Sequence, residues 1–132
     1  YGLGRLGTLA EPCDCREWLQ QLKTALNLSQ VRVVGDIQKP VQQVALCGGS
    51  GASMIDHAIR AGADVLVTGD VKYHEAQEAA ARGLIIVDGG HFATEQPIIA
   101  AVVDYLRHYT TCAGWKLIVD SESTNKDVFK VI

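Results

Sequence analysis

The chain has 132 residues, 48% of them hydrophobic and 20% charged, with a formal net charge of −3. That fits one packed domain and excludes a disordered tail. No Lys/Arg cluster marks a nucleic-acid surface, and the longest apolar runs, such as Ile98 to Val103, are too short to span a bilayer.

The opening "YGLGRLGTL" places three glycines around Leu3 and Leu6 and reads as a loop or irregular strand. A helix follows, with Asp14 as cap, Glu17 completing a capping box, and an apolar stripe of Trp18, Leu19, Leu22, Ala25 and Leu26. "VRVVG" (31–35) is a short β-branched strand. "VALC" (44–47) is a buried strand running into "GGSGAS", and the next helix turns Met54, Ile55, Ala58 and Ile59 inward and stops at Gly62. "DVLV" (64–67) leads through "TGDVKYH" into an alanine-rich helix ending near Gly83. "LIIVD" (84–88) leads through "GGHFATE" into a helix from about Glu95 to Tyr109, with Ile98, Ile99, Val102, Val103 and Leu106 inward. "WKLIV" (115–119) reads as a last strand before a polar tail. Continuous apolar strands alternating with helices predict a single α/β unit over residues 1–132: a mainly parallel sheet with helices on both faces.

Cys13, Cys15, Cys47 and Cys112 do not form a disulfide framework. Cys13 and Cys15 are only two apart, a poor geometry for bridging each other, and no second pair at zinc-ligand spacing accompanies them. Reduced thiols and the absence of a leader pattern lead to an expectation of cytoplasmic location. The chain begins at Tyr1 rather than Met, as expected of a processed or partial product.

In open α/β sheets ligands bind beyond the carboxyl ends of the strands. Three strands here end in polar, glycine-rich loops: Gly48-Gly49-Ser50-Gly51, Thr68-Gly69-Asp70 and Asp88-Gly89-Gly90-His91. Parallel strands would gather all three on one edge. The first loop either offers backbone N–H groups to an anion or is a tight turn needing small residues; it lacks a P-loop lysine. In the second, Asp70 either caps the following helix or serves a site, while Lys72 and His74 suit acid–base work or a phosphate contact. In the third, His91 and Glu95 stand four residues apart and can share one cation. The alternative makes Thr94 a helix cap, Glu95 a first-turn carboxylate favoured by the helix dipole, and His91 an ordinary loop residue. His57 and the His108/Cys112 pair lie off this edge and are assigned to structure or surface.

The motifs "GxGRxG", "VALCGGSGASMID", "GADVLVTGDVKYHEA", "GLIIVDGGHFATE" and "SxSTNKDVF", in this order, resemble the carboxy-terminal part of the Nif-three-like family, often labelled GTP cyclohydrolase I type two homologues. The resemblance spans nearly the whole chain. It implies an α/β fold with a dinuclear centre of divalent metal ions in a cleft, often in ring-shaped homo-oligomeric hexamers. Zinc, manganese or iron would suit imidazole and carboxylate ligands alike. The family's carboxy-terminal ligands correspond to His91 and Glu95. Asp70, Lys72 and His74 correspond to a loop beside the centre, where His74 is the candidate acid, base or phosphate contact. The remaining ligands in the family, a paired-histidine motif and an aspartate, come from an amino-terminal part, and this sequence holds no His-His pair. The tail also departs from the family's Thr-Asp-Pro-Phe-like ending, reading Thr124-Asn125-Lys126-Asp127-Val128-Phe129.

The expectation is therefore part of a longer two-part metal-binding protein. It would be a metal-dependent hydrolase or cyclohydrolase-like enzyme for a phosphorylated or nucleotide-like small molecule, with little turnover from these residues alone. The alternative is a metal-containing binding or regulatory protein.

Overall fold

The computed structural model describes residues 2–130; Tyr1, at the head of the opening stretch, lies outside them. Five strands and four helices follow one another as β1 (Arg5–Cys13), α1 (Cys15–Ala25), β2 (Arg32–Val34), β3 (Val41–Ser50), a 3₁₀ turn (Ala52–Met54), α2 (Ile55–Arg60), β4 (Val65–Gly69), α3 (Tyr73–Ala81), β5 (Ile85–Asp88) and α4 (His91–Cys112). The sheet order is β1-β3-β4-β5-β2. The central three strands are parallel, and β1 and β2 flank them antiparallel.

Period-two alternation along the central strands divides the core into two layers. Val65, Val67, Ile85 and Val87 point to one face, where Cys15, Trp18 and Leu19 of α1 cover them. Leu66 and Ile86 point to the other, against Ile55 and Ala58 of α2 and Ala79 of α3. Helices on both faces are what the continuous apolar strands require, and the predicted α/β class holds. Asp14 caps α1 by accepting from the N–H groups of Arg16 and Glu17. Ala25, placed on the apolar stripe of α1, is exposed.

Of the two readings of the opening, the irregular strand holds: Arg5 to Thr8 pair with Leu46 to Gln43, the register shifts between Thr8 and Cys13, and Thr8 Oγ1 donates to Gln43 Oε1 at 2.9 Å. Cross-strand pairing outweighs the local cost of Gly7, and Pro12 is tolerated because β1 is an edge strand. Other sequence expectations are corrected. Residues 115–119 form no strand, and Trp115, Leu117 and Ile118 are exposed. Helix α4 begins at His91, not Glu95, and its apolar side is largely uncovered: Ile98 is 59% exposed and Val102 45%. Periodicity identifies an apolar face; it does not supply the surface that buries it. Among the described residues no helix is long and apolar enough to cross a membrane.

Candidate metal-binding site

The carboxyl ends of β3, β4 and β5 converge as parallel pairing demands, with Ser50 opposite Gly69 and Thr68 opposite Asp88. Their loops pack so closely that glycine is required at two places. A Cβ on Gly69 would meet the Gly90 carbonyl carbon at 2.6 Å and the His91 nitrogen at 2.7 Å. A Cβ on Gly49, whose φ is +65°, would stand 2.5 Å from Glu95 Oε1 and 3.1 Å from His91 Nε2. The chain has therefore left space immediately beside the two atoms that would ligate a cation.

Side-chain hydroxyls join these loops. Thr68 Oγ1 donates to the Gly49 carbonyl at 3.0 Å, and the Gly49 N–H donates to Thr94 Oγ1 at 2.9 Å. Thr94 in turn donates to the Gly90 carbonyl at 2.8 Å. Thr94 thus lies inside α4 and fastens its first turn to β3; the cap position belongs to Gly90, whose φ of +80° suits glycine. The Gly49 N–H of the Gly48–Gly51 loop is already engaged in this packing.

Asp70, with φ +57°, holds an uncommon left-handed backbone for a residue with a side chain. It does not cap α3, whose cap residue is Lys72. Its Oδ2 instead lies 2.6 Å from His91 Nδ1. A carboxylate only accepts, so Nδ1 carries the proton and Nε2 of the neutral ring keeps its lone pair. Nε2 faces Glu95 Oε1 at 3.3 Å, across one turn of α4. His91, Asp70 and Glu95 are all about half exposed. The hydrogen bond to Asp70, then the charge of Glu95, raise the His91 pKa above the ordinary imidazole value of 6.5.

Several features of this arrangement fit a divalent cation. A carboxylate on the far nitrogen orients a metal-ligating imidazole and strengthens it as a donor. Two ligand atoms, each roughly 2.0–2.1 Å from one tetrahedral ion, stand about 3.4 Å apart, close to the observed Nε2–Oε1 separation. The fit is partial: among the described residues no group of three or more His, Cys, Asp or Glu side chains is arranged to hold a metal. Asp70 binds the imidazole nitrogen remote from Glu95, so the chain offers two ligand atoms on one side.

Lys72, at the cap of α3, and His74, in its first turn, follow the Asp70 loop but share none of these bonds. The Lys72 N–H donates to Glu75 Oε2 at 2.8 Å, and the exposed His74 ring packs edge-on against Tyr73. Ser50 is exposed at the end of β3, and Gly51 packs against Thr68 and Cys47. His108 and Cys112 are exposed at the far end of α4, with Nε2 and Sγ 3.6 Å apart. Beside Glu95 an open groove of about 360 Å³ runs between Leu46, Cys47 and Ile98, with Arg5 supplying a cation at its rim. Reading by spacing names Thr68 and Asp88 only as loop members and Thr94 only as a possible cap, and does not single out Arg32; these side chains hold the loops in place. For Asp88 a signal exists: it is a carboxylate closing the buried apolar run "LIIVD".

Comparison with known proteins agrees with this architecture. The profile of Duf34/NIF3 (NGG1p interacting factor 3) matches residues 1–126. A GTP cyclohydrolase 1 type 2 homolog of Streptococcus pneumoniae serotype 4 is 38% identical over 130 residues, covering 94% of this chain and 48% of that protein. The Bacillus subtilis protein of the same description is 47% identical over 92 residues, 70% of this chain and 25% of its own length. Among solved structures, a Bacillus cereus protein related to NIF3 superposes with a TM-score of 0.92 at 33% identity, covering 99% of this chain and 36% of that one. The chain spans between about a quarter and a half of the length of these relatives. The ordered motifs, the parallel core and the superposition lead to one conclusion: the chain belongs to the Duf34/NIF3 family.

Proposed function

We propose that this chain supplies half of the active centre of a metal-dependent hydrolase or cyclohydrolase-like protein acting on a phosphorylated or nucleotide-like small molecule. One observation carries the reading: His91, gripped by Asp70 through Nδ1, turns Nε2 toward Glu95 Oε1 across space that a side chain at position 49 would fill. The chemistry a divalent ion supplies when bound is polarisation of a substrate oxygen and activation of water near neutral pH. The residues here do the rest of their share. His91 and Glu95 are the ligands, Asp70 orients the imidazole, and Gly49 keeps the ligand atoms accessible. The groove past Glu95 receives the substrate, Arg5 offers a charge for an anionic group, and His74, in the first turn of α3, is a candidate proton carrier or phosphate contact. Names given to the relatives support the cyclohydrolase-like class. The uncovered apolar side of α4 supports the expectation that the complete protein buries it, within one subunit or between subunits of a homo-oligomer.

The test is a panel of nucleotides and phosphoesters assayed with added zinc, manganese or iron(II), on a longer relative and its His91→Ala equivalent. Turnover that falls by roughly a hundredfold or more in the variant is the expected result. Intact metal binding with no turnover on any member of the panel would move the protein to the binding or regulatory reading.

A further inference from the structure

We infer that Asp88, at the end of β5, is a positioning residue of the site, a single buried carboxylate that fixes the backbone on both sides of the Asp70–His91 pair. Asp88 is only 6% exposed. Its Oδ2 accepts from the Val71 N–H at 3.1 Å, and its Oδ1 accepts from the Gly90 N–H at 2.9 Å. Val71 directly follows Asp70, and Gly90 directly precedes His91. Asp70 has a left-handed φ of +57°, uncommon for a residue with a side chain, and Gly90 a φ of +80° that suits glycine, so each loop turns through a positive-φ residue where Asp88 holds it. Arg32, the residue opposite on β2, pairs with Oδ2 and offsets the cost of keeping the charge out of water. Every buried side-chain nitrogen and oxygen among the described residues is hydrogen-bonded, so this carboxylate is fully used. Two loops separated by a whole helix and strand meet through it, and the result is the 2.6 Å contact between Asp70 and His91.

The role of this contact in ligation rests on reading His91 as a metal ligand; its geometry does not. Asp88→Asn keeps the volume but replaces one accepting oxygen with a donor facing a backbone N–H. In the metal-free chain, at a pH where the ring is neutral, NMR of the imidazole nitrogens reports the His91 tautomer and the exchange of its Nδ1 proton. The expected result is that D88N, folded by circular dichroism, loses the fixed Nδ1–H tautomer, as is expected of Asp70→Ala, which removes the acceptor. Zinc affinity in the same variant should drop roughly ten- to hundredfold. A folded D88N with an unchanged Nδ1 proton and unchanged zinc affinity would overturn the assignment. If D88N does not fold, amide exchange in the unaltered chain decides: slow exchange at Val71 and Gly90 supports it, and exchange as fast as in the exposed tail refutes it. A chain that binds no zinc but shows the tautomer change refutes the metal reading alone.

Discussion

At the residue scale, the site is governed by a histidine between two carboxylates and a glycine that leaves them room. The Asp70 hydrogen bond and the Glu95 charge favour the imidazolium, so the folded pKa of His91 lies above its unfolded value. A group shifted in this direction contributes stability that is fully present below the ordinary imidazole value and is lost as pH rises through the folded one. Asp70→Asn should lower the His91 pKa toward the ordinary value and shrink that pH-dependent contribution, as an NMR titration paired with denaturant melts at several pH values will show. Metal needs the neutral ring, so zinc binding is expected to strengthen as pH rises across the same window. Gly49→Ala meets two obstacles, the positive φ and the Glu95 carboxylate at 2.5 Å. The backbone alone should cost about 1–2 kcal/mol in urea melts, and Glu95 must swing away from His91, weakening zinc binding. Of these residues, His91 and Glu95 are legible from their i, i+4 spacing. Asp70 is legible as a member of the right loop, but its partner is not, because the contact spans 21 positions of sequence.

At the element scale, the central strands and the exposed helix face test opposite ideas about hydrophobicity. Leu66 on β4 is 1% exposed and packed in the second core layer, so Leu66→Ala should destabilise by about 2–5 kcal/mol. Val102 on α4 is of a similar apolar type but 45% exposed. Val102→Gln is therefore expected to change the stability of this chain by less than about 0.5 kcal/mol in the same chemical melts. A large loss would show that α4 is covered in solution. The contrast explains where reading the sequence succeeds. Strands β3, β4 and β5 are recognisable because burial on both faces writes a continuous apolar run. Strand β1 is legible only as one of two readings, loop or irregular strand, because its hydrogen bonds come from β3, far along the chain, while its own glycines and proline also suit a loop.

At the scale of the whole molecule, the chain spans less than half the length of these relatives, and α4 leaves an apolar side exposed. The chain aligns with 48% of the Streptococcus pneumoniae protein and 36% of the Bacillus cereus structure. A zinc ion usually takes four ligands, and among the described residues the proposed site brings two candidate atoms together. Calorimetric zinc titration should therefore find this chain more than about tenfold weaker than a full-length relative. Tight, stoichiometric binding to the chain by itself would show that the centre is complete within these residues.

The sequence by itself determined the family, the α/β class, the order of the central elements and the edge on which the glycine-rich loops gather. Each of these is written in local pattern: apolar runs, glycines after strands, and the ordered motifs. Only the tertiary structure decided that Asp70 grips His91, that Thr68, Thr94 and Asp88 hold the loops in register, and that α4 keeps an apolar side open. Those facts depend on which distant segments come within hydrogen-bonding or van der Waals reach, and parallel pairing through crossover helices places the decisive partners far apart in the chain.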